Sequence, residues 1–238
     1  MQNTQTTSDK VEYECSLCKD TRGLSRVDHE GRRRWRDCDC VLREVSLRRI
    51  EKSGLAYAID SYTFDDYISI ENWQRDVKSK AMEFAENDAP LFFAGGQVGS
   101  GKTHICTAIA GELLKTKALR YMLWRDESVK LKACVTDYEQ YQRLIVPFKK
   151  TYALYIDDFW KTPKTSKNNY PTEADITLAF EIINHRYSKP IKTIISSEFC
   201  IEDILLIDEA VGSRIKHMAG KYCINVAADK NRNYRLKS

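Results

Sequence analysis

The sequence predicts an α/β fold, a parallel sheet between helices, with a small cysteine-rich module in front of it. Three observations predict it. Gly96-Gln97-Val98-Gly99-Ser100-Gly101-Lys102-Thr103 matches the phosphate-binding pattern G-x-x-x-x-G-K-[ST] at every position. Tyr152-Ala153-Leu154-Tyr155-Ile156-Asp157-Asp158 is an apolar run that ends in two acids, as a buried parallel strand with carboxylates at its C-terminal tip would read. Four of the eight cysteines fall in two close pairs, Cys15-x-x-Cys18 and Cys38-x-Cys40.

Residues 1–10 open on Met1-Gln2-Asn3-Thr4-Gln5-Thr6-Thr7-Ser8, which is polar and has no signal-peptide core, and a disordered tail is expected there. Residues 11–53 are expected to form a four-cysteine zinc module and a linker helix. Two thiol pairs about twenty residues apart have the spacing of such a site, each pair offering two thiolates from one turn and the intervening hairpin joining them. Disulfides are the competing reading, disfavoured by a reducing compartment. A module this small has too little apolar area to fold unaided, so zinc is expected to act structurally. Between the pairs runs Arg32-Arg33-Arg34-Trp35-Arg36. Such a run can bind phosphate and stack a base, or it can be the solvated outer strand of the hairpin. After Cys40, Val41–Ile50 carries apolar residues at helical intervals, with Gly54 as the expected stop.

Residues 54–238 are expected to form one nucleotide-binding domain in which strands and helices alternate. A helix over 71–87 places Trp73, Val77, Ala81, Phe84 and Ala85 on one face. The strand Leu91-Phe92-Phe93-Ala94 leads into the glycine loop, and the run Ile105–Ala110 leads out as a helix. A strand over 119–124, helices over 126–133 and 137–147, and the acid-tipped strand follow. A helix over 172–187, a strand over 193–197, a helix over 210–219 and a strand over 222–227 complete a parallel sheet covered on both faces. In the loop, the glycines let backbone N–H groups point at phosphate oxygens, and the following helix adds its positive end. Lys102 is expected against the β- and γ-phosphates of ATP, with the Thr103 hydroxyl in the shell of Mg²⁺. Asp157 would hold Mg²⁺ through water, and Asp158 would orient or deprotonate the attacking water.

Composition narrows the field. Hydrophobic content of 42% and charged content of 30% are those of an ordinary globular protein. The net charge of +4 does not by itself imply a nucleic-acid partner. No apolar stretch approaches the roughly 18 residues of a membrane span, so no membrane partner is expected and the reading is cytoplasmic. The four histidines form no metal-ligand spacing among themselves. No nucleophile–base constellation accompanies the loop.

The P-loop with its following residue, Gly99-Ser100-Gly101-Lys102-Thr103-His104, resembles that of the DnaC/DnaI-type replicative helicase loaders, AAA+ ATPases, in the style found in phages and prophages. So do the cysteine module, Thr63-Phe64-Asp65 ahead of the core, the Asp157-Asp158 pair, Ala210-Val211-Gly212-Ser213-Arg214-Ile215, and the closing Asn233-Tyr234-Arg235-Leu236. The resemblance covers nearly the whole chain. It implies an AAA+ core that binds a hexameric replicative helicase and delivers it onto single-stranded DNA under ATP control, as a homo-oligomer when assembled. It places His104 with the nucleotide loop and Ser197 in the sensor slot, where loaders usually carry Asn. It aligns Arg214 with the arginine finger that reaches a neighbouring subunit's phosphates. The helices after residues 119–124 resemble an insertion that contacts single-stranded DNA, with Arg125, Lys130 and Lys132 as basic candidates and Tyr138 and Tyr141 for stacking. Lys161, Lys164 and Lys167 follow the acid pair in a loop that could line a DNA path. Competing readings are an IstB-like transposition helper ATPase, a nucleotide-clamped adaptor with little hydrolysis, and a P-loop small-molecule kinase.

Overall fold

The computed structural model describes residues 13–52, 56–162 and 170–236. The tail expected at 1–10, the stop at Gly54, and Lys164 and Lys167 lie outside the described residues. The chain begins with an antiparallel hairpin, β1 (Gly23–Val27) and β2 (Arg33–Asp37), and continues into α1 (Asp39–Lys52). Helices α2 (Ala56–Ser61) and α3 (Asn72–Glu86) lead to β3 (Leu91–Gly96), then α4 (Lys102–Leu114), β4 (Leu119–Leu123), α5 (Trp124–Ala133), α6 (Tyr138–Lys150) and β5 (Ala153–Phe159). The last elements are α7 (Glu173–Ser188), β6 (Thr193–Ser197), α8 (Ile201–Ile207), α9 (Glu209–Ala219) and β7 (Cys223–Val226).

Strands β3 to β7 form a parallel sheet in the order β4-β5-β6-β3-β7. Its strands are short apolar runs because both faces are covered. Phe92, Tyr155 and Ile194 pack on one side with Phe84 of α3 and Ile105 and Ile109 of α4. Phe93, Ile156 and Ile195 pack on the other with Phe148, Ile182 and Ile215 of α6, α7 and α9. Adjacent residues thus feed opposite cores, as the two-residue period of a strand requires. Two buried cations tie the layers. Arg186 bonds the carbonyls of Phe148, Lys149, Thr151 and Lys192 and the hydroxyl of Thr193. Lys192 donates to the carbonyls of Phe84 and Asn87 at the C-terminal end of α3, where a cation satisfies acceptors the helix leaves open.

The strand expected over 119–124 stops at Leu123, and Trp124 starts α5 instead, buried beneath the acid-tipped strand against Phe159 at 5.0 Å. Two short helices, α2 and α8, were not anticipated. Helix α8 starts at a capping box in which the Asp203 carboxylate, three residues after Cys200, bonds back to the Cys200 N–H. Helix α1 lies against β4: the Ser46 hydroxyl accepts from Leu119 N, and Arg43 bonds the Lys115 carbonyl.

Candidate nucleotide site and thiol cluster

The loop from β3 to α4 curls because its glycines adopt the left-handed region. Gly99 has φ 73°, and a Cβ there would meet Asn233 at 2.0 Å; Gly101 has φ 89° and caps α4. No other residue type fits both demands at Gly99. Val98 to His104 line a cavity of about 340 Å³, together with Asp158, Ser196 and Arg235. Gly96 and Gln97 lie behind that wall, where their carbonyls accept the Lys102 ammonium at 2.8 and 2.6 Å. Burial pulls Lys102 down to about 8, against the opposing pull of Glu198 and Asp158.

The acid pair is positioned by three hydroxyls. Thr103 Oγ1 lies 3.3 Å from Asp157 Oδ1, and Tyr121 donates to Asp157 Oδ2 at 3.1 Å. Ser196 donates to Asp157 Oδ1 while its oxygen accepts the Asp158 N–H at 3.1 Å, so one side chain holds both acids. The register between β5 and β6 shifts between Ile156 and Phe159, and Asp158 (φ 52°) and Trp160 (φ 62°) adopt backbone that L-residues rarely take. Each such residue costs on the order of 1–3 kcal/mol and persists only where packing enforces it. Here Phe159 and Trp160 are fully buried and stacked at 4.8 Å. The bulge turns the Asp158 carboxylate into the cavity, where Lys161 bridges it to Glu198 at 3.0 and 2.9 Å.

In the sensor strand one expected residue, Ser197, stands elsewhere than the sequence placed it. Ser197 does not face the cavity: its hydroxyl donates to Phe159 O at 2.8 Å and accepts from Phe199 N. The bulge pairs Ser197 with Phe159, and alternation along β6 leaves Ser196 as the polar group at the sheet tip. His104 lines the cavity and its Nε2 bonds Thr63 O at 2.9 Å, with the ring stacked on Tyr62 at 4.7 Å. Arg214 is remote from its own chain's cavity. It bonds Asn184 Oδ1 at 3.0 Å and lies over the Phe180 ring at 4.9 Å, on the flank of α7.

Among the DNA candidates, Arg125 is exposed and Tyr138 is 75% exposed. Lys130 pairs with Glu127 at 2.7 Å on the surface, which leaves it available. Lys132 is committed: it meets the buried Asp175 at 2.6 Å, and Asp175 closes the capping box of α7 with Thr172. Tyr141 is likewise engaged, donating to Glu181, which also takes Lys149 at 3.0 Å. Tyr121 and Tyr62 belong to no motif, and the closing segment carries only a family likeness. There, Tyr234 N donates to Gly99 O at 2.9 Å and Gln74 donates to the Tyr234 hydroxyl, so the C-terminal turn lies across the P-loop.

In the N-terminal module the four sulfurs of Cys15, Cys18, Cys38 and Cys40 lie within 4.8 Å of one another. Cys15–Cys38 and Cys18–Cys40 are each 3.7 Å apart, far beyond a covalent S–S bond. A tetrahedron of thiolates about 2.3 Å from a central zinc has edges of roughly 3.8 Å, so the donor set fits that metal. Backbone N–H groups of Cys18 and Leu17 pull Cys15 down to about 7, while burial among the other thiols pushes Cys40 up to about 12. His29 is exposed in the hairpin and takes no part.

A P-loop at the tip of a parallel β4-β5-β6-β3-β7 sheet, facing an acid-ended strand and preceded by a four-cysteine cluster, defines a P-loop α/β core of AAA+ fold with a small N-terminal module. The chain belongs to the family of the Bacillus subtilis (strain 168) protein YqaM, with which it is 30% identical over 226 residues, 85% of this chain and 68% of YqaM. It is also similar to the phage-like element PBSX protein XkdC of the same organism, 28% identical across 97% of this chain and 89% of XkdC. No protein-family model matches. Among solved structures, the DnaC helicase loader superposes with a TM-score of 0.54 at 17% identity, over 71% of this chain and 97% of that one. AMPPCP-bound DnaA from Aquifex aeolicus superposes with a TM-score of 0.56 at 20% identity, over 73% and 52%. The resemblance to DnaC/DnaI-type loaders read from the motifs is therefore matched by the fold.

Proposed function

We propose that this chain binds ATP with Mg²⁺ at the P-loop, assembles with copies of itself, and delivers a hexameric replicative helicase onto single-stranded DNA. One observation carries the reading: Ser196 fixes Asp157 beside Thr103 and Asp158 toward the loop that carries Lys102. The loader part of the proposal is supported by the fold shared with the DnaC helicase loader and by kinship with a phage-element protein.

The residues divide the work. The backbone N–H groups between Gly99 and Thr103 and the Lys102 ammonium hold the phosphates. The Thr103 hydroxyl and Asp157 are the groups that fit magnesium, which when bound neutralises charge on the triphosphate. Asp158 orients water toward the terminal phosphorus and accepts its proton, while Lys161 and the Ser196 oxygen keep it aimed. Arg214 supplies positive charge to the site of a neighbouring copy. Cys15, Cys18, Cys38 and Cys40 hold zinc, which stabilises the module. The test is co-purification of the full chain with the replicative helicase, with and without ATP, beside Lys102→Ala. An ATP-dependent complex that the variant fails to form or to release supports the reading; no complex under any nucleotide condition ends it.

A second reading, an ATP-clamped adaptor with little hydrolysis, is favoured by Ser196. Its single proton goes to Asp157, leaving none for the terminal phosphate. Phosphate release that stays low in the presence of DNA, helicase and assembled copies selects this alternative.

A further inference from the structure

The hairpin between the cysteine pairs carries chemistry that the nucleotide site does not use. Every residue of β2 is exposed. Trp35 is 66% exposed, although a tryptophan side chain normally buries most of its surface. Its ring lies flat on the strand pair, since a Cβ at Gly23 would come within 2.2 Å of the indole. One face of the ring therefore rests on backbone and the other is open. The register puts Gly23, Ser25 and Val27 across from Asp37, Trp35 and Arg33, so Arg33 and the 58% exposed Val27 share the face of Trp35.

The charges around that ring are unequal in availability. Arg34 is held by Asp28 at 3.1 Å, Arg32 by Glu30 at 2.9 Å, and Arg36 lies 3.8 Å from Asp39. Arg33 and Arg26 form no ion pair among the described residues, Arg33 beside Trp35 and Arg26 on the opposite face. An open aromatic face next to an unpaired guanidinium, on a ribbon with more arginines than acids, matches a base and its phosphate. With Trp35 and Val27 the exposed apolar side chains on this face, the open ring and the excess of arginines favour a nucleic-acid strand over a protein partner.

We infer that the β1–β2 hairpin binds single-stranded nucleic acid, with one base stacked on Trp35 and the adjoining phosphate on Arg33. Duplex is disfavoured because its bases are already stacked on one another. The inference needs neither ATP nor a helicase, so it stands apart from the loader reading.

The experiment titrates full-length protein, without nucleotide, against a fluorescent oligonucleotide of about 16 thymidines over about 50–200 mM salt. Trp35→Ala should weaken binding roughly 5- to 150-fold, the range seen for loss of one stacking ring, while Trp35→Phe keeps most of it. Arg33→Ala should make the slope of log K against log salt shallower by about 0.7, one phosphate contact on a single strand. Arg26→Ala removes the same charge from the opposite face and should change affinity less than about twofold, well below the effect of one phosphate contact. Metal content and ATP affinity of each variant report that module and core remain folded. If Trp35→Ala loses the module, Trp35→Phe and Arg33→Ala decide the question. Wild-type binding by Trp35→Ala and Arg33→Ala, or equal losses from Arg26→Ala and Arg33→Ala, overturns the proposal. So does a variant that loses a protein partner but keeps the oligonucleotide.

Discussion

The parallel sheet that carries the nucleotide loop and the hairpin module hold their shapes by opposite means. In the sheet, Phe92 and Phe93, Tyr155 and Ile156, and Ile194 and Ile195 are buried completely, and polar side chains are organised on top of that packing. In the module, the residues of β2 are all exposed and the buried groups around the turn are Cys18, Gly23 and Cys38. Hydrophobic burial of about 25 cal/mol per Å² can support the first but not the second. The difference teaches where each region is vulnerable: the core to changes in volume, the module to changes at four sulfur atoms.

The largest effect is expected in the module. Cys38→Ser, or a strong chelator, should remove the metal and abolish the hairpin, since apparent zinc binding of about 10–16 kcal/mol doubles as folding energy in such modules. ATP affinity of the core should stay within about threefold, because none of the four sulfurs lines the nucleotide cavity. Metal analysis, limited proteolysis of the first fifty or so residues and nucleotide titration check this together. A core that melts with the module would erase the contrast.

The next effect belongs to Lys102. Lys102→Ala should weaken ATP roughly 10- to 150-fold, the loss of a charge-assisted contact worth about 1.5–3 kcal/mol. It should leave thermal stability unchanged or raised, since the ammonium is buried at a cost that draws its titration down to about 8. Calorimetry and a thermal scan on the same sample separate the two outcomes.

Ser196 and Ser197 give a finer contrast within one strand. Ser196→Ala removes one of the three hydroxyls on Asp157 and the acceptor of the Asp158 N–H, and should lower turnover by about 10- to 100-fold, near the lower range for lost positioning groups, with ATP affinity nearly unchanged. Ser197→Ala should leave turnover intact and cost about 1–3 kcal/mol of stability, because Phe159 O and Phe199 N lose a buried partner. Equal kinetic losses in both would return the sensor role to Ser197.

How far the sequence carried the reading follows from the range of the interactions. The P-loop was legible because its glycines serve local backbone geometry, and the cysteine pairs because their spacing sets which turns can meet. The order of the strands along the chain followed from alternating apolar runs. What stayed hidden depends on long-range register. The bulge at Asp158, which decides between Ser196 and Ser197, arises from how β5 meets β6, and no residue near it advertises a kink. Lys132 reads as a free base on a surface helix until Asp175, forty-three positions on, is folded beside it. The closing segment gave a family likeness but no role, because its contact with Gly99 joins the far end of the chain to the loop.

A last effect lies beneath the sheet, at Lys192, and it is read by the sign of a titration. Burial draws Lys192 down to about 8, with Asp88 opposing. The unfolded chain holds that proton up to roughly 10.4. Between those values the unfolded state binds more protons, so the contribution of Lys192 to stability rises with pH across the window. Below about 8 both states are charged and the burial cost is present in full. Lys192→Met keeps the stem against Phe84 but has nothing to titrate, so urea unfolding of the wild type should gain on the variant from about pH 8 to 10. A difference that is flat or falls over that range would mean that the Phe84 and Asn87 carbonyls offset the burial cost and keep Lys192 charged.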